Sequence, residues 1–184
     1  RTGQHQPVVE RPWSHRHFVF PVTLSATQEQ TFYLRVASVG SVTVPLRLWS
    51  PEGFVHHSQI SYLWIAAYYG VAGALILYNL FLFLSLRERH YLIYCGFITF
   101  TATGMFIMNG FGAYLLAPIG WPETIGTNTF FALAGMFCTW FLREFLKVNI
   151  HLPRTDRVLQ ILMAAFIVIA CLPIVDVPVR IGVG

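Results

Sequence analysis

Four stretches of this chain carry no charged side chain: Tyr62–Leu86, Tyr91–Pro118, Ile125–Leu142 and Val158–Val175. As a helix rising about 1.5 Å per residue, the first alone exceeds the roughly 30 Å hydrocarbon thickness of a bilayer. A soluble fold would have to cover all four with polar-faced protein. With 11% charged residues and a mean hydropathy of +0.59, the rest of the chain cannot supply that cover. The expected architecture is a membrane all-α bundle with spans at about 62–86, 91–114, 125–146 and 158–175. The gap 87–90 is short enough to make the first two spans an antiparallel hairpin. Pro118–Thr124 forms the next loop. Pro153 stops any continuation of the third span, Thr155 or Asp156 caps the fourth, and Pro173 ends it near Leu172.

Eight of the twenty charges lie in residues 1–61, and this part reads differently. Phe18, Phe20, Val22 and Leu24 alternate with Val19, Pro21, Thr23 and Ser25, and Val42, Val44, Leu46 and Leu48 repeat the period of two. Thr31–Ser38 is rich in β-branched and aromatic residues, and Val39–Ser41 is short enough to close a hairpin. Ser50–Gly53, with Pro51, is expected to end the last strand. So few strands bury little apolar surface, which predicts the C-terminal part of a larger β-domain over residues 1–58, followed by a helical region over 59–184. With no basic and apolar leader ahead of Arg1, the chain is expected to be a piece of a longer protein.

Twelve Lys and Arg against eight Asp and Glu leave a net +4, and placement rather than total decides its meaning. Arg87 and Arg89 sit in one gap, and Arg143, Lys147, Arg154 and Arg157 in another. Pro118–Thr124 between them has no Lys or Arg. This is the asymmetry that puts basic loops in the cytoplasm, not a nucleic-acid patch, and it sends residues 1–61 to the outside. In a cell with two membranes the expected location is the inner membrane, with a periplasmic N-terminal region. Aromatic residues fit those depths: Tyr62, Trp64, Tyr68 and Tyr69 at the outer rim, Tyr91 and Tyr94 at the inner, Tyr114 and Trp121 at the outer again, and Trp140 at the inner.

Catalysis and ion coupling inside a membrane need ionisable groups there, and the four windows have none. No enzyme activity is therefore expected of this segment, and no cofactor. His15 and His17 would share a strand face, but nothing is placed to complete a metal site with them, and His56 and His57 would point apart. Cys95, Cys138 and Cys171 all fall in apolar windows and read as packing residues, not a disulfide framework. Ala66, Gly70 and Ala74 recur every four residues and suggest a face for close helix packing, with Asn79 bonding another helix from inside the bundle.

Two motifs follow: Tyr78-Asn79-Leu80-Phe81-Leu82-Phe83-Leu84, then Leu86-Arg87-Glu88-Arg89-His90-Tyr91-Leu92-Ile93-Tyr94. Together they resemble the first helical hairpin of bacterial seven-transmembrane receptors with diverse intracellular signalling modules. Upstream, Phe32 to Ser38, Gly40-Ser41 and Pro45-Leu46 resemble the end of that family's extracellular β-domain, a jelly roll similar to carbohydrate-binding modules. The resemblance implies a receptor. An outer domain senses a ligand, carbohydrate being the suggested class, the helices relay the event, and a cytoplasmic effector joined to the same chain responds, commonly a histidine kinase or a cyclic-dinucleotide cyclase. Trp13, Tyr33 and Trp49 are the candidate ligand-binding residues, because aromatic faces stack on sugar rings. The expected partners are the lipid bilayer, that ligand and that effector, with a homodimer admitted and nucleic acid excluded. A transporter or channel subunit is the alternative, against which the missing charged lining counts.

Overall fold

In the computed structural model, residues 15–25, 29–36, 44–112 and 123–181 are described. Trp13, Tyr114, Trp121, the Pro118–Pro122 part of the expected outer loop and the Val39–Ser41 turn lie outside them.

The first helix, α1 (Pro51–Leu86), is 36 residues long. Its start follows from local chemistry. The Ser50 hydroxyl accepts the Gly53 backbone N–H at 3.1 Å, and Pro51 brings a fixed φ to a position where its missing N–H is no loss. The Ser-Pro-Glu-Gly run expected to end a strand therefore starts a helix, and α1 crosses the expected boundary at residues 58 and 59. At about 1.5 Å per residue it is about 54 Å long, so it projects well beyond the hydrocarbon core.

α1 ends where Arg87 turns into the left-handed region at φ 55 and its N–H returns to Phe83 O at 2.8 Å. After this turn comes α2 (Arg89–Phe106), which runs on into a π-helical turn, Ile107–Phe111. Within that turn Gly110 stands at φ 87, where a side chain would be strained. The third helix, α3 (Glu123–Phe145), is followed by a short α4 (Val148–His151) and by α5 (Pro153–Ile181). α5 does not stop before Pro173 as expected. A proline removes one helical hydrogen bond, which a membrane helix tolerates.

Among the described residues three helices are long and apolar enough to cross a membrane: Pro51–Leu86, Arg89–Phe111 and Pro153–Leu172. A helix, α3, also occupies the expected third span. The principal contacts run between neighbours, α1 on α2, α2 on α3 and α3 on α5, so the helices form a row. Their interior is lined by small and branched residues: Ala72 from α1, Ile93, Cys95 and Ile98 from α2, Ala132 and Ala134 from α3, and Ala170 from α5. Ile107 of the π-turn is the most deeply buried, at 1% exposure.

The expected strands are not formed among the described residues. No ladder joins residues 17–25, 29–36 and 44–49. Phe18, Phe20, Leu24, Leu46 and Leu48, from the predicted apolar faces, are exposed. Alternation sets which face of a strand is apolar, but a strand forms only when a partner takes its backbone groups.

Candidate functional site

Ahead of the helices, residues 15–17 pack against both α1 and the π-turn of α2. Arg16 extends a guanidinium Nη2 that donates to Ser61 Oγ on α1, with Cζ 5.1 Å from the centre of the Tyr62 ring. Arg16 Nε is buried and has no hydrogen-bond partner among the described residues. The Arg16 carbonyl lies over Gly110, where a Cβ would come within 2.9 Å of its oxygen. The glycine thus serves both a positive φ and a close approach, so one residue of the outer segment touches both α1 and the π-turn of α2. Tyr62 meets Phe111 of that turn at 6.2 Å between ring centres, and Phe111 stacks on Phe106 at 4.9 Å. π-turns inside α-helices gather at functional positions, because the extra residue reorients side chains at little cost in backbone bonding.

His15 sits beside Arg16, buried at 9% exposure. Its Nδ1 accepts the His17 N–H at 3.1 Å, Nε2 lies 3.5 Å from Ser58 Oγ, and the ring packs 5.0 Å from Phe54. Burial and then the Arg16 charge hold its pKa below 6.5. Burial also lowers the pKa of His17, followed by the charges of Arg16, His15 and His57. Deeper in, Tyr69 on α1 donates to Ala102 O on α2 at 3.3 Å. Cys95 Sγ contacts Ile76 O at 3.6 Å, as the expected packing cysteine. No group of three or more His, Cys, Asp or Glu able to hold a metal ion occurs among the described residues.

The two described aromatic candidates for ligand binding are not brought together by any ring contact between them. Trp49 stacks on His57 of α1, 4.6 Å away and 22° from parallel, so its face meets the helix start. Tyr33 is 94% exposed, with its face open. Along α1, Ala66, Gly70 and Ala74 are exposed, and a Cβ at Gly70 would meet nothing within 4 Å. Asn79 is buried, but its amide donates to Leu75 O on its own helix at 2.8 Å. The expected packing of this face finds no partner among the described residues. The close approaches are elsewhere: Gly104 faces the ring of Phe131, Gly96 faces Phe137, and Gly135 faces Phe166.

At the inner end, Arg143 is tied down. Its Nε and Nη2 reach the two Asp156 oxygens at 2.5 and 3.2 Å, and Gln160 donates to Asp156 at 2.7 Å, which fastens α3 to the start of α5. Arg87, Arg89, Lys147, Arg154 and Arg157 are exposed. Lys147, like Arg87, turns the chain in the left-handed region, at φ 46.

Sequence reading singled out His15 and His17 only as metal candidates and missed Arg16, Ser61 and Gly110. Arg16 and Ser61 are 45 residues apart and no periodicity links them. The one available signal was Asn109-Gly110, a pair that favours positive φ inside an apolar run.

Comparison with known families gives two matches. Residues 61–182 match the family described as 7TM diverse intracellular signalling. Residues 1–50 match the domain described as 7TMR-DISM extracellular 2. No curated protein and no solved structure matches the chain.

Proposed function

The chain belongs to the 7TM diverse intracellular signalling family, and from that premise we propose that it is the sensing and relaying part of a receptor. It is a multi-pass membrane signalling protein with an extracellular domain ahead of its helices. In the proposed reading that domain takes up a small ligand outside the cytoplasm, carbohydrate being the first class to try, with Trp13, Tyr33 and Trp49 as candidate contacts. The helices pass the event to a cytoplasmic effector in the same protein. The chain relays and does not itself catalyse, and its membrane is the inner one of a bacterial cell.

The observation that carries the reading is the direct fastening of the outer segment to two helices through Arg16, Ser61 and Gly110. A relay needs helices with two packings that the outer domain biases differently. α1 runs unbroken from that junction to the inner turn at Arg87, so a tilt at one end moves the other. The test is a glycan array on the purified chain, followed by a spin-label distance between Leu86→Cys and Phe145→Cys at the inner ends of α1 and α3. Glycan binding that is lost in Tyr33→Ala and shifts the inner distance supports the reading. Binding that leaves that distance fixed overturns the relay, and an array without a binder rejects carbohydrate as the ligand class.

A further inference from the structure

The junction holds a titratable ring in a position that favours its neutral state. Because His15 Nδ1 accepts the His17 N–H, it presents a lone pair, and the ring's proton sits on Nε2, facing Ser58. A second proton has to go on Nδ1. It would set a donor against a donor, and it would place a second cation beside Arg16 in a buried site. The charged and titratable groups of the described residues around this site are Arg16 and His17 on the same segment and, on α1, Tyr62 against His15 and His57 beside His17. The π-turn of α2 contributes the uncharged Gly110 and Phe111. Arg16 meanwhile keeps Nε buried without a partner, so the docked arm is held with one hydrogen bond fewer than its chemistry asks for.

We propose that residues 15–17 are a proton-released latch: neutral His15 and the arm of Arg16 fasten the outer segment across α1 and the π-turn of α2, and protonation of His15 frees it. Docking lowers the affinity of His15 for a proton, so the sign is fixed. The latch is at full strength above the ordinary pKa of 6.5 and weakens as pH falls below it. For one histidine the loss approaches about tenfold in the docked-to-free ratio per pH unit, until the docked ring itself titrates. The latch stands on geometry, while its use as the entry point of a signal rests on the receptor reading.

The experiment uses the whole chain in lipid nanodiscs, with its three cysteines replaced and spin labels on Phe20→Cys and Gln59→Cys. A second label pair, Leu77→Cys and Leu92→Cys, monitors the α1–α2 contact. The expected result is one short outer distance at pH 8 and a dominant longer one at pH 5, with the helix pair unchanged. His15→Asn, whose side-chain oxygen takes the place of Nδ1 as acceptor and does not titrate, keeps the short distance at both pH values. Gly110→Ala, which pushes against the Arg16 carbonyl, shows the longer distance at both. An outer distance that is the same at pH 5 and 8 overturns the latch, as does an equal shift in His15→Asn or a shift that moves the helix pair as well. No ligand or effector takes part. A fixed outer distance in a ligand-responsive chain therefore counts against the latch alone, and a pH-sensitive latch in an unresponsive chain counts against the receptor reading alone.

Discussion

At the scale of the residue, a glycine in a membrane helix is either room for a neighbour or a loss of helix propensity, and what stands opposite decides which. Gly135 leaves space for Phe166, whose ring atoms would lie 2.7 Å from a Cβ there. Gly135→Ala should overpack this contact and destabilise the helices by about 1–3 kcal/mol. Gly70 faces nothing within 4 Å. Gly70→Ala should therefore stabilise α1 by about 0.4–1 kcal/mol, through the entropy that alanine does not lose on folding. Thermal unfolding of both variants in one detergent checks the pair, and a lower melting temperature for Gly70→Ala would show that the open face is covered in the intact protein. The sequence made Ala66, Gly70 and Ala74 legible as a face of small residues but could not say what lies across from it. Gly96 and Gly104 have the matching i, i+8 spacing, and their partners Phe137 and Phe131 belong to another helix. Sequence spacing describes one helix at a time, so contacts between helices escape it.

At the scale of the element, helix bodies follow from charge-free length, and helix ends follow from a few polar atoms. α2 begins within a few residues of expectation, because Arg87 to His90 is the only polar break available to that hairpin. The start of α1 was hidden because Pro51 after Ser50 serves equally to end a strand or to open a helix, and the capping bond to Gly53 decides between them. No strand forms among the described residues for the converse reason: the alternation is real, but pairing is a property of two segments at once. At the inner end, the Arg143–Asp156 pair joins α3 to α5, and Asp156 is 8% exposed. Asp156→Ala should lower the melting temperature by leaving Arg143 without its acceptor. Arg143→Gln combined with Asp156→Asn should recover part of the loss, since it removes the stranded charge. Equal melting temperatures for wild type and Asp156→Ala would show that the pair holds nothing together.

At the scale of the whole molecule, the helices form a row whose outer end carries the Arg16 junction and whose inner end carries the basic turns. The direction of signalling depends on which end faces the cytoplasm, and in the proposed reading, drawn from the Lys and Arg bias, residues 87–90 and 143–157 lie there. Part of that bias is spent on structure, since Arg143 is paired, but the exposed Arg87, Arg89, Arg154 and Arg157 keep its sign. The most direct test is labelling of intact cells with a membrane-impermeant thiol reagent, using Glu52→Cys and Glu88→Cys singly in a cysteine-free chain. Both positions are exposed, and they lie near opposite ends of α1. The predicted result is reaction at position 52 in intact cells and reaction at position 88 only after the membrane is permeabilised. Reaction at 88 but not at 52 in intact cells would put the Arg16 junction in the cytoplasm and contradict an outside-to-inside relay.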